Sequence, residues 1–104
     1  MSIFSFLGIG NGKIKDALRN NAVIIDVRTA QEFDHGHIPK SINIPVDRMN
    51  ISAERIKAMK RPVILCCNSG ARSGQALQAL KSKGMKEVYN GGSWQNVLKV
   101  LERI

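Results

Sequence analysis

The stretch PVILCCNSGARS, residues 62 to 73, decides how this chain of 104 residues folds. It opens with a continuous apolar run, which is typical of a strand covered on both faces of a parallel sheet. The turn-forming residues Asn68-Ser69-Gly70 follow, and helical periodicity runs from Gln75 to Lys83. The pattern therefore predicts a strand, a tight turn and a helix, with Cys67 where the strand ends.

Cys67 is the candidate nucleophile. At the start of a helix, backbone N–H groups converge and the helix dipole is positive, so a thiolate is stabilised and the thiol pKa falls. Gly70 permits the backbone angles that a tight anion cradle needs. A free cysteine is often only a small core residue, and that interpretation suits Cys66, which continues the apolar run.

Arg72 follows Cys67 with four residues between them. Its guanidinium could hold an oxyanion such as thiosulfate, or stabilise the thiolate. Cysteine phosphatases and arsenate reductases have five residues between the two, so their arginine would fall at Ser73. The shorter loop suits the terminal sulfur of a persulfide better than a tetrahedral phosphate or arsenate. Ser73 could donate to a bound anion, but the pattern favours it as the helix cap.

Strands and helices alternate along the chain, which favours a single α/β domain over residues 1 to 104. The apolar residues 1 to 10 are expected to form an arm or a strand covering that domain. Thr29 and Glu32 have the spacing of a capping box, which predicts a short helix beginning at Thr29. Asn50 is expected to cap a later helix.

Asp26 lies near the end of a second continuous apolar run, Ala22 to Val27. Sites in open α/β sheets lie beyond the carboxyl ends of the strands, so Asp26 and Cys67 are predicted to be neighbours. Because an unpaired buried charge is unfavourable, Asp26 is expected to pair with Arg28 or with backbone donors. Both residues are therefore predicted to support the site structurally.

The formal net charge is +8, with 16 Lys and Arg against 8 Asp and Glu. These basic residues are scattered along the chain and are not interleaved with aromatics. The pattern favours a basic surface that attracts small anions over a nucleic-acid site. No run approaches the roughly 20 apolar residues of a membrane span.

Only two histidines are present, His35 and His37, and no further ligands are arranged around them, so neither a metal nor another cofactor is expected. Two adjacent cysteines do not make a disulfide framework, which fits a reducing compartment. We therefore expect a cytoplasmic protein, although the mature form of an exported protein fits the same features. We also expect a monomer.

Three segments of the chain, in this order and spacing, resemble the signatures of the rhodanese-like family. The first signature is matched by Ile25-Asp26-Val27-Arg28, Glu32-Phe33 and Gly36-His37-Ile38-Pro39. The active-site loop is matched by Cys67-Asn68-Ser69-Gly70-Ala71-Arg72-Ser73, and the C-terminal signature by Tyr89-Asn90-Gly91-Gly92-Ser93-Trp94.

This resemblance implies a three-layer fold, with a central, mainly parallel five-stranded sheet and helices on both faces. It also implies a small single-domain sulfurtransferase. The loop cysteine, here Cys67, would accept sulfane sulfur from a donor such as thiosulfate and become a persulfide, and it would then pass that sulfur to cyanide or another thiophile. The backbone amides of Asn68 to Ser73 would cradle the outer sulfur, and Arg72 would bind the anionic donor. Whether Cys66 resolves the persulfide or merely packs stays open.

The sequence thus predicts a thiosulfate sulfurtransferase. A second hypothesis is a sulfur carrier that hands the persulfide to a partner protein, with the basic surface steering the encounter. A phosphatase or arsenate reductase is disfavoured by the length of the loop.

Overall fold

The computed structural model describes the backbone of residues 3 to 104 and the side chains of residues 11 to 104. Helices and strands alternate within them. The elements in chain order are α1 (Ile3–Arg19), β1 (Val23–Asp26), α2 (Ala30–Asp34), β2 (Ile42–Asn43), a 3-10 helix (Val46–Arg48), α3 (Met49–Ala58), β3 (Val63–Cys67), α4 (Ala71–Ser82), β4 (Val88–Ser93) and α5 (Trp94–Glu102).

The strands form one sheet in the order β2-β1-β3-β4. All three pairings are parallel, as the continuous apolar runs predict. Asp26 lies opposite Cys66, and Cys67 lies opposite Ser93. The carboxyl ends of β1, β3 and β4 therefore meet at one edge, which confirms the predicted proximity of Asp26 to the cysteine.

Each face of the sheet is covered by a pair of helices, so the fold has three layers. Alternate strand residues point to opposite faces. Ile25 and Leu65 pack in the cluster that contains α3 and α4, whereas Ile24 and Ile64 pack in the cluster that contains α1 and α5. Both clusters are closed to solvent, which explains why these strands show no polar alternation.

The expectation of five strands was wrong for the described residues, whose sheet has four. The arm or strand expected over residues 1 to 10 also differs from the structure: residues 3 to 10 are the first part of α1, while Met1 and Ser2 lie outside the described residues. No proline interrupts residues 3 to 19, so helical hydrogen bonds run through the segment. No described helix combines the length and apolar character needed to cross a bilayer.

Two helix starts correct the predictions made from sequence. Arg48 precedes α3 without a side-chain cap, so Asn50 lies inside the helix. α4 begins at Ala71, ahead of Ser73, the residue predicted to cap it. The capping box of α2 is confirmed: the Thr29 hydroxyl accepts from the Glu32 N–H, and the Glu32 carboxylate accepts from the Thr29 N–H.

Candidate active site

Cys67 is the last residue of β3 and is only 1% exposed. Its Sγ lies 3.0 Å from the backbone nitrogen of Gly70, which donates to it, and 3.4 Å from the Ser73 hydroxyl oxygen. The chain turns at Gly70, whose φ of +99° lies in the left-handed region that favours glycine. The residues Cys67 to Ser73, hereafter the cysteine loop, thus wrap backbone donors around the sulfur.

These donors outweigh burial in setting the acidity of Cys67. Burial is the largest single influence and raises the pKa of the thiol. Hydrogen bonds from the Ser73 hydroxyl and from the N–H groups of Ser73, Gly70 and Ser69 together bring the pKa below its ordinary value. The structure therefore stabilises a thiolate at the end of β3, as the position of Cys67 predicts.

Ser73 is not the helix cap. It is the third residue of α4, fully buried, and the N-cap position belongs to Gly70. The Ser73 hydroxyl donates to the Asn90 side-chain oxygen at 2.7 Å while it contacts the Cys67 sulfur at 3.4 Å. A hydroxyl has one proton, so donation to a thiolate replaces donation to Asn90. The Asn90 oxygen then still accepts from the Gly92 N–H at 2.9 Å.

Ser73→Ala is expected to raise the pKa of Cys67 because it removes the strongest of the hydrogen bonds that lower it. The rate of alkylation by iodoacetamide follows the thiolate fraction. Its pH profile should therefore shift to higher pH in the variant. Ser69→Ala is the control, since only the backbone of Ser69 acts on the sulfur. Coincident profiles of Ser73→Ala and the unmodified protein would contradict this role.

Arg72 is paired with Glu32 of α2. The two guanidinium NH2 groups donate to the two carboxylate oxygens at 2.7 and 3.1 Å, and each side chain is 32% exposed. The Arg72 hydrogen bond is the main reason that the pKa of Glu32 falls to about 2, so the carboxylate stays ionised near neutral pH. Asn68 also donates to Glu32 at 3.0 Å. Through Asn68 and Arg72, Glu32 therefore links both ends of the turn to α2.

Glu32 and Asn90 are parts of this arrangement that the sequence analysis did not single out as site residues. The Asn90 side chain accepts from Ser73 and donates to the Gly70 carbonyl at 3.1 Å, so it braces the turn from β4. Both residues lie in the segments that resemble the family signatures, and that position is the signal that could have identified them.

Asp26 and Arg28 form the predicted pair. Three side-chain hydrogen bonds of 2.7 to 3.1 Å join them, and neither residue is more than 4% exposed. The same guanidinium donates to the Gly36 carbonyl at 2.7 Å and lies 5.1 Å from the ring centroid of Trp94. The pair therefore joins the end of β1 to the segment after α2 and to the start of α5.

Cys66 points away from Cys67. It lies in the cluster of α1 and α5, with Ile14, Ile64 and Val97, and is fully buried. Burial is the main reason that the pKa of its thiol is raised. Because adjacent strand residues face opposite sides, a disulfide with Cys67 would require β3 to distort. The structure favours packing as the role of Cys66.

His35 and His37 each hydrogen-bond to a backbone carbonyl of α2. Their Nδ1 atoms lie 2.7 Å from the carbonyl oxygens of Gln31 and Phe33, respectively. Across the described part of the chain, no group of three or more His, Cys, Asp or Glu is arranged to hold a metal ion.

Comparison with known proteins identifies the family of this fold and site. A family model described as a rhodanese-like domain matches residues 11–98. The thiosulfate sulfurtransferase GlpE of Pseudomonas savastanoi is 37% identical over 76 residues, which cover 71% of this chain and 70% of that protein. An uncharacterized Bacillus subtilis protein, YqhL, is 42% identical over 69 residues, which are 66% of this chain but 54% of that protein. The chain thus spans about half of that relative.

Solved structures agree with this fold. A rhodanese with anions from E. coli superposes with a TM-score of 0.66 at 30% identity, covering 72% of this chain and 89% of the other. A human single-domain sulfurtransferase superposes with a TM-score of 0.66 at 25% identity, covering 85% and 91%.

Proposed function

Because the chain belongs to the rhodanese-like domain family, we propose that it is a sulfurtransferase that moves sulfane sulfur from thiosulfate to cyanide or a thiol. The carrier of that sulfur is a persulfide on Cys67. The observation that carries the proposal is the Gly70 N–H, which donates to the Cys67 sulfur at 3.0 Å where α4 begins. This geometry favours an anionic sulfur at neutral pH.

The first half-reaction is attack by the Cys67 thiolate on the outer sulfur of thiosulfate. A sulfur–sulfur bond forms to Cys67, the bond inside thiosulfate breaks, and its electron pair leaves with sulfite. In the second half-reaction cyanide attacks the outer sulfur and leaves as thiocyanate, and the electron pair of the broken bond restores the Cys67 thiolate. Each thiosulfate consumed therefore gives one sulfite and one thiocyanate, and no cofactor takes part.

The cysteine loop supplies the stabilisation that both half-reactions need. The outer sulfur of an ionised persulfide carries negative charge, and the amides of Asn68 to Ser73 are the donors nearest to it. The 12 residues of α4 add the positive end of the helix dipole. Arg72 already shares its guanidinium with Glu32, so it meets a donor anion only with the part that this pair leaves open to solvent.

Incubation with thiosulfate is expected to add one sulfur atom to the protein and release one equivalent of sulfite. Mass spectrometry of the intact chain measures the first, and a sulfite assay measures the second. Addition of cyanide should then restore the original mass and produce one thiocyanate. Sulfate, a dianion without a transferable sulfur, is the control. A chain that gains no sulfur, or releases none to cyanide, would refute the proposal.

A further inference from the structure

A cavity of about 270 Å³ lies between the end of α1, the first residues of β1, β2 and the end of α5. Its described lining contains no residue of the cysteine loop and is mostly aliphatic, including Leu18, Ile24, Ile42 and Leu101. Leu101 is 37% exposed, so this apolar surface is open to solvent. Val23 also lines the cavity and pairs with Val63, which is about 13 Å from Cys67 at the rise of a parallel strand. The cavity is therefore a site of its own.

Two cations complete the lining of this cavity, Lys40 and Arg61, and none of the described residues that line it is acidic. Neither cation forms an ion pair within the described chain. The Arg61 guanidinium is nevertheless fixed, because its Nε donates to the Asn21 carbonyl at 2.7 Å and its Nη2 to the Ala22 carbonyl at 3.3 Å. Nη1 has no hydrogen-bond acceptor among the described residues. An anion in the cavity therefore meets a positioned cation with an open donor.

The backbone around the cavity is strained. Among the described residues other than glycine, positive φ angles occur at Asn21 (+66°), Lys40 (+71°) and Lys60 (+54°). Asn21 and Lys60 lie near the ends of α1 and α3, where a left-handed residue is common. Lys40 follows no helix directly, and glycine would adopt its φ with less strain. Because strain of this kind clusters at ligand-binding sites, we expect the Lys40 side chain to serve the cavity that it lines.

We propose that this cavity binds a small organic anion that has one carboxylate and an apolar body. The Lys40 ammonium and the Arg61 guanidinium attract the carboxylate, and Nη1 of Arg61 donates to it. The aliphatic wall covers the apolar body, which an inorganic anion lacks. At about 30 Å³ per water molecule, the cavity has room for on the order of ten non-hydrogen atoms, the size of a medium-chain fatty acid. An apolar lining with a few placed polar groups is typical of small-molecule sites.

Octanoate, kept below its critical micelle concentration, is the probe for this site. In an NMR titration it should shift the amide signals of Ile24, Lys40, Ile42 and Leu101 to saturation and leave those of the cysteine loop unchanged. Octanamide has the same chain without the charge and should bind about 5-fold more weakly. Acetate has the charge without the chain and should not approach saturation over the same concentrations.

Lys40→Met keeps most of the side chain and removes its charge. It should weaken octanoate binding about 3- to 5-fold and leave octanamide within about 2-fold. Lys81→Met is the matched control, because this exposed lysine lies on α4, which covers the other face of the sheet. It removes the same charge and should leave the affinity for octanoate within about 2-fold. Lys40→Gly suits the φ of +71°, so it should melt no lower than the unmodified protein and still bind octanoate as weakly as Lys40→Met.

Equal affinities for octanoate and octanamide, or an unchanged affinity for octanoate in Lys40→Met, would overturn the proposed carboxylate site. Comparable binding of acetate would also overturn it, because the site would then hold any small anion. Shifts that begin only above the critical micelle concentration would do the same, because they would indicate a surface for membranes and not a cavity for one molecule. The titration needs no sulfur on Cys67, so its outcome is independent of the sulfurtransferase activity proposed above.

Discussion

Cys67→Ser is expected to abolish transfer of sulfur from thiosulfate to cyanide, with turnover at least about a thousand-fold lower. The serine oxygen can occupy the end of β3 and accept from the Gly70 N–H. However, a hydroxyl stays protonated at neutral pH, and the side chain that hydrogen-bonds to this position within the described residues is another hydroxyl, that of Ser73. Intact mass after thiosulfate treatment and the yield of thiocyanate measure the effect. The variant should gain no sulfur.

Cys66→Ala is the matched control, since it removes the neighbouring thiol from the other face of the sheet. It should retain loading and turnover within a few-fold. Loss of a small buried side chain should lower the free energy of unfolding by about 1–2 kcal/mol. If Cys67→Ser still loads sulfur and Cys66→Ala does not, the nucleophile has been assigned to the wrong cysteine.

Asp26→Asn is expected to be the most destabilising of the substitutions considered for this chain, lowering the free energy of unfolding by about 3–5 kcal/mol. The change leaves the Arg28 guanidinium buried without its counter-charge, and the new amide NH2 group faces the donors of Arg28. In a domain of this size the melting temperature should fall by about 15 °C or more. Thermal and urea unfolding, followed by circular dichroism, measure the loss.

Asp16→Asn is the control for loss of one carboxylate, because Asp16 is exposed on α1. It should change stability by less than about 0.5 kcal/mol. The double variant Asp26→Asn with Arg28→Met should recover part of the loss, since no unpaired buried charge remains. A small effect of Asp26→Asn on stability, or strict additivity in the double variant, would show that the Asp26–Arg28 pair does not stabilise the fold as described above.

The sequence predicted the features that depend on local pattern. Continuous apolar runs predicted parallel strands covered on both faces, and the ends of those runs placed Asp26 beside the cysteine. The capping box at Thr29 depends on contacts three residues apart, which a sequence displays directly. The position of Cys67 between a strand and a helix was enough to predict a stabilised thiolate.

Contacts across long sequence separations were beyond such reasoning. Glu32 and Arg72 are 40 residues apart, and their pairing depends on how α2 is placed beside the cysteine loop. Serine is a residue type that often caps helices. However, the left-handed turn at Gly70 lets α4 begin at Ala71, which places Ser73 inside the helix. The count of five strands came from the resemblance to the family, whereas the described residues before β1 form α1 and add no strand to the sheet.

The two cysteines of β3 lie on opposite faces of the sheet, so the thiol of Cys66 can report on opening of the strand. Cys67 is activated by donors in its loop, whereas Cys66 is sealed between the sheet and the α1–α5 layer. With Cys67 replaced by serine, the remaining thiol can be labelled only when the central strand separates from that layer. The labelling rate of Cys66 in native buffer therefore measures the free energy of sub-global opening of the core, without denaturant or isotope exchange.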